Sequence, residues 1–99
     1  MTPEGKVKAK VVRLLNKYKA WYCFPATHGY GKPGVPDIIG THEGWFFGVE
    51  VKRTSKQHPT PPQALQLELI KDSGGMAMVI HCDNLCQLES WLIRNRFEQ

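Results

Sequence analysis

The chain has little cysteine. Cys23, Cys82 and Cys86 are three in 99 residues. Their number is odd and no C-x-x-C spacing occurs, which fits free thiols in a reducing compartment better than a disulfide scaffold. A zinc cluster drawn through His81-Cys82-x-x-x-Cys86 is conceivable, but packing of these cysteines in the core is the favoured reading. Long apolar runs are missing too: none approaches the ~20 residues of a membrane span. No secretory signal is visible in Met1-Thr2-Pro3-Glu4-Gly5-Lys6, which is polar. A cytoplasmic protein without a membrane partner is therefore expected. Acids are scarce, with 9 Asp and Glu against 13 Lys and Arg and a net charge of +4. That balance suits a polyanionic partner without specifying one. Repeats, low-complexity segments and interdomain linkers are absent, so residues 1–99 are expected to form a single domain around one core.

What is present reads as alternating elements. Thr2-Pro3-Glu4 has an N-cap, a proline at the first helical position and an acid in the first turn. Val7, Val11, Leu14, Leu15 and Tyr18 then recur with a helical period, and Glu4 falls on the same stripe. That acid is read equally well as dipole placement or as a carboxylate aimed at a site. Trp21-Tyr22-Cys23-Phe24-Pro25 predicts a first strand. A glycine-rich loop follows, Gly29-Tyr30-Gly31-Lys32-Pro33-Gly34-Val35-Pro36. Two strands come next, Asp37–His42 and Trp45–Lys52, joined by Glu43-Gly44 as a tight hairpin turn. Thr60-Pro61-Pro62-Gln63 opens a second helix through Leu67 and Ile70, with capping-box spacing between Thr60 and Gln63. Met76–His81 is a buried strand reached by a parallel crossover. Asn84 to Arg96 places Leu85, Leu88, Trp91 and Leu92 on one helical face. The order α-β-β-β-α-β-α predicts an α/β sandwich around a mixed sheet flanked by helices.

Folding the chain about Glu43-Gly44 pairs His42 with Trp45, Thr41 with Phe46, and finally Asp37 with Glu50. Opposed residues share a face with Cβ atoms roughly 4.5–5.5 Å apart. Lys52, two residues beyond Glu50, projects to the same side. Two like charges at that spacing are destabilising unless something neutralises them, and a divalent cation bound by both does so. Lys52 pairing with either acid on a surface hairpin is the commoner fate of an E-x-K sequence. The apolar runs around these charges weigh against it. Cations crowd elsewhere: Lys6, Lys8, Lys10, Arg13, Lys17 and Lys19 in the first segment, Lys32 in the glycine loop, and Arg53 and Lys56 after the acid pair.

These residues carry a resemblance. Glu4 in the first helix, Pro36-Asp37 at the second strand and Glu50-Val51-Lys52 at the third, in the order α-β-β-β-α-β, resemble the PD-(D/E)XK nucleases. Gly34-Val35-Pro36-Asp37-Ile38-Ile39-Gly40, then Val49-Glu50-Val51-Lys52-Arg53, then Gln63 at the next helix start are similar to the VRR-NUC domain, over Glu4 to about Ile80. The resemblance implies a restriction-endonuclease-like core of the stand-alone, bacteriophage type. It implies a Mg²⁺-dependent, structure-selective DNA endonuclease, with branched or Holliday-junction-like DNA as the candidate substrate and Mn²⁺ as a substitute metal. Asp37, Glu50, the Val51 carbonyl and Glu4 would be metal ligands, Lys52 a catalytic cation and Gln63 a site-orienting residue. Lys32, Arg53 and Lys56 would contact phosphates. Host-cell cytoplasm is the expected location if the chain is phage-encoded. A homodimer is implied by the resemblance and also by the aromatics: three Trp, four Phe and three Tyr are more than a small core readily absorbs.

Two other classes remain. A non-catalytic nucleic-acid-binding module that retains the fold is disfavoured by the presence of all the acids and Lys52. A nucleotide-binding protein built on Gly29-x-Gly31-Lys32 is weaker, because that loop lacks P-loop spacing.

Overall fold

A computed structural model describes residues 1–26 and 31–95. Gly29 and Tyr30 of the glycine loop, and Arg96 at the end of the last expected helix, lie outside the described residues. The elements are α1 (Pro3–Lys17), β1 (Trp21–Cys23), β2 (Ile38–His42), β3 (Trp45–Val51), α2 (Pro61–Asp72), β4 (Met76–Ile80) and α3 (Leu85–Arg94). The order is the one expected, and the strands form one mixed sheet in the order β1-β2-β3-β4. β1, β2 and β3 run antiparallel, while β4 lies parallel to β3 after the α2 crossover. Strand ends differ from expectation by one or two residues. Phe24 and Pro25 fall outside β1, because proline cannot donate to a ladder. Asp37 lies just before β2 and Lys52 just after β3.

The local chemistry explains the elements. Thr2 caps α1, its Oγ1 accepting from Gly5 N at 3.0 Å, and α1 buries Val7, Val11 and Leu15. Glu43 and Gly44 take φ values of 51° and 84°, the positive pair that matches a two-residue turn to the twist of its strands. The ladder that follows pairs His42 with Trp45 and runs to Ile38 with Val49, in the expected register.

That register divides the sheet into two faces. One face carries Ile38, Phe47, Val49, Val51 and Ile80, which form the core with α1 and α3 through Val7, Val11, Leu15, Leu88, Trp91 and Leu92. His42 is buried within this layer, 3% exposed, and its Nε2–H donates to the Leu92 carbonyl at 2.9 Å. The other face carries Gly48 and Glu50 and is covered by α2, with Ile70 lying over Gly48. The cysteines are not core residues: Cys23 is half-buried, and Cys82 and Cys86 are exposed. Cys82 sits in the turn after β4, and Cys86 lies on α3 beside, not beneath, the apolar stripe. Among the described residues, no helix is long and apolar enough to cross a membrane.

The loop before β2 is docked on α2. Gly34 has φ 78°, and a Cβ there would lie 2.4 Å from the Pro62 carbonyl carbon and 2.6 Å from Gln63 N. Both the backbone conformation and the lack of a side chain are needed, so that Asp37 and the first turn of α2 are held together. Gly34→Ala is expected to destabilise the chain by about 1–3 kcal/mol in urea unfolding, from backbone strain alone. The clash adds to that figure. Wild-type stability in this variant would mean that the loop is not fixed on α2.

Candidate active site

Asp37 and Glu50 meet where the hairpin ladder stops. The last β2–β3 pair is Ile38 with Val49, and one step further the Val51 N–H donates to Asp37 Oδ2 at 2.8 Å. A side chain thus takes the place of a backbone acceptor, which fixes the Asp37 carboxylate at the edge of the sheet. Glu50 lies next to it and is 1% exposed. Its Oε2 is buried and has no hydrogen-bond partner among the described residues. Leaving such an oxygen unpaired in a protein interior costs about 1–3 kcal/mol, and more when it is charged.

The electrostatics follow from that placement. Burial pushes the Glu50 carboxyl from its ordinary 4.5 up to about 8, and the Asp37 carboxylate beside it pushes the same way. The Lys52 ammonium opposes the rise without cancelling it. Two oxygen donors, one of them orphaned, packed in a charge-repelling pair have the chemistry that a hard divalent cation satisfies. The residues present therefore fit such an ion.

Lys52 is half-buried, and its Nζ donates to Gln63 Oε1 at 3.1 Å. The same Gln63 oxygen accepts from Thr60 N at 2.9 Å, while Thr60 Oγ1 accepts from Gln63 N at 3.4 Å. The capping box foreseen in the sequence is formed, and its glutamine also holds the lysine. Spacing alone suggests the cap. The lysine contact depends on where α2 lands on the sheet, which no local pattern encodes.

Asp37, Glu50, Val51, Lys52 and Gln63 are therefore brought to one end of β3. Glu4 is not joined to them by a hydrogen bond or ion pair, and it is exposed in the first turn of α1. Its position in the first turn suits the dipole-placement reading, since Val7 is the first residue of the apolar stripe to reach the core. Lys32, Arg53 and Lys56 are exposed. The Arg53–Lys56 connector is held by Gln57, whose Oε1 accepts from Arg53 N at 3.0 Å. His81, Cys82 and Asp83 bring their donor atoms within 4.8 Å of one another. However, Asp83 N donates to His81 Nδ1 at 3.1 Å, which leaves the imidazole proton on Nε2 and neither nitrogen free for a metal. The disfavoured zinc cluster through His81, Cys82 and Cys86 gains no support from this turn, since Cys86 is not among the grouped donors.

Glu50 gives the site a pH signature. The folded chain keeps a proton up to about pH 8 that the unfolded chain loses near 4.5. Glu50's contribution to stability is thus full at low pH and is lost as pH rises between these values. Glu50→Gln removes that loss. In chelator, the melting temperature of the variant minus that of the wild type is expected to grow more positive from about pH 5 to about pH 8.5. A flat difference would contradict the buried, protonated carboxyl.

No protein-family model matches the chain, and no curated protein matches it. Solved structures do. One described as "VRR_NUC domain" is 21% identical, with a TM-score of 0.75 over 98% of this chain and 100% of that one. Another, "VRR_NUC domain protein", is 20% identical, with a TM-score of 0.71 over 94% of this chain and 89% of that one. The chain has the α/β fold of VRR_NUC domains, as the resemblance in its sequence implied.

Proposed function

We propose that this chain is a metal-dependent deoxyribonuclease that hydrolyses phosphodiester bonds at the Asp37–Glu50–Lys52 site. The observation that carries the reading is the buried Glu50 carboxyl beside Asp37, with its Oε2 left without a partner among the described residues. A nuclease role also agrees with the VRR_NUC fold. Asp37 and Glu50 would hold Mg²⁺, with the Val51 carbonyl as a further donor, Glu4 as a ligand through water, and Mn²⁺ as a substitute. When bound, the ion supplies Lewis-acid polarisation of the phosphate and a lowered pKa for water.

The chain's own residues do the rest. The Val51 N–H holds Asp37 in one orientation, so the carboxylate needs no reorganisation to act. Gln63 holds one Lys52 proton, and the remaining ammonium protons are available to the charge that develops on a phosphate. Lys32, Arg53 and Lys56 are exposed and would grip phosphates of the bound strand, giving affinity with little sequence preference. Branched DNA is the proposed substrate class and a homodimer the proposed assembly. Trp21, Phe24, Trp45 and Phe46 are all at least 44% exposed, the kind of apolar surface that a second copy would cover.

Asp37→Ala and Lys52→Ala are each expected to reduce cleavage at least about 100-fold while leaving the fold intact by circular dichroism. The assay is a panel of junction, flap, nicked, duplex and single-stranded DNAs with Mg²⁺ or Mn²⁺. Wild-type turnover in either variant would sink the assignment. A wild-type chain that binds the panel but cuts none of it would point instead to a non-catalytic binding module.

A further inference from the structure

α1 carries five cations, Lys6, Lys8, Lys10, Arg13 and Lys17, against one acid, Glu4. Lys8 is half-buried, with its ammonium 4.4 Å from the centre of the Phe24 ring. The other four are exposed. Their spacings of four, three and four residues line them up as one ridge, about 16 Å long at the helical rise. Lys17 is paired with Glu89 at 3.1 Å. Lys6, Lys10 and Arg13 form no hydrogen bond or ion pair with any described residue.

This arrangement is unfavourable for an isolated helix. Like-charge neighbours at i,i+3 and i,i+4 repel and destabilise the helix, and Lys6 also sits near its positive pole. The fold gives no relief. Lys10 and Arg13 line a groove of about 270 Å³ between α1 and α3, together with Leu14, Leu85, Cys86 and Glu89. Glu89, the acid in that groove, already accepts from Lys17 Nζ and, at 2.7 Å, from Tyr18 O–H.

We infer that the Lys6–Lys10–Arg13–Lys17 ridge is a second nucleic-acid contact, which binds the phosphate backbone of a DNA duplex. The inference rests on the nuclease reading and deepens it. α1 packs on the core face of the sheet, opposite the face that carries Glu50 and α2. The ridge therefore meets a different stretch of nucleic acid from the one at Asp37 and Glu50. Duplex DNA has one charge per ~1.7 Å of axis, or per ~3.4 Å of each strand, so a ridge of ~16 Å faces four or five phosphates of one strand. A membrane surface is a poorer occupant, because an interfacial helix needs a free apolar face and that of α1 is buried in the core.

The experiment compares the wild type with Lys6→Ala/Lys10→Ala/Arg13→Ala in metal-free binding to a duplex of about 30 bp and to a single strand of about 6 nucleotides, from about 50 to 200 mM salt. Three lost phosphate contacts are expected to lower the slope of log K against log salt by about 2.7 for the duplex. Binding and metal-dependent cleavage of the short strand are expected to stay within about twofold of wild type, since its phosphates sit at the other face. Lys6→Arg/Lys10→Arg, which keeps the charge, is expected to retain the wild-type slope. An unchanged duplex slope in the triple alanine variant would overturn the inference. So would loss of binding to a polyglutamate peptide with duplex binding intact, since the ridge would then serve an acidic protein. If wild type binds duplex through the ridge but cuts no DNA, the nuclease reading fails and the ridge stands. If it cuts DNA and the slopes coincide, the reverse holds.

Discussion

A carboxylate held beside a buried carboxylate is the constraint around which this protein is arranged. Two charges of one sign at the end of a hairpin repel, and Glu50 is 1% exposed with one oxygen unpartnered among the described residues. Nothing in the packing of the sheet needs an acid there. Gly48, two residues earlier on the same face, is covered by apolar side chains: a Cβ there would crowd Ile70 of α2 and Pro36 of the loop before β2. A hydrophobic residue at position 50 would continue that layer without an electrostatic penalty. The penalty is retained, and the surroundings are built to keep the pair in place. Val51 N–H holds Asp37, Gly34 lets the preceding loop lie on α2, and Gln63 ties the helix start to Lys52.

The two faces of the sheet divide the work. Phe47, Val49, Val51 and Ile38 build the core with α1 and α3, while Glu50 and Gly48 look towards α2. Alternation along one strand therefore places core residues and the buried acid at consecutive positions. The core layer holds the register, and a slip of one residue would exchange Glu50 for Val49 or Val51. The acid pair is thus as fixed as the core itself.

How much of this was legible in the chain depended on the range of each interaction. The hairpin register followed from Glu43-Gly44, because a two-residue turn leaves only one pairing for the strands beside it, and Asp37 came opposite Glu50 by counting. The α1 and α2 caps and the parallel crossover were local or topological signals and were equally readable. Gln63 was only half readable: its cap is a spacing of three residues, whereas its bond to Lys52 requires α2 to land on the sheet at one height. The helical period puts Glu4 on the apolar stripe, but Val7 is the first residue of that stripe to reach the core and the acid is in solvent. The cysteines failed for a similar reason. Small apolar side chains next to a strand end or a helix stripe carry no mark of which side they will take.

Metal binding with its proton balance tests the central claim most directly. Calorimetric titration of Mn²⁺ into the protein, repeated in buffers of different ionisation enthalpy, counts the protons released. With the Glu50 carboxyl pushed up to about 8, binding at pH 7 is expected to release close to one proton. The release should fade above about pH 9 and disappear in Glu50→Gln. Binding without proton release at pH 7, or no binding at all, would contradict a cation held between Asp37 and Glu50.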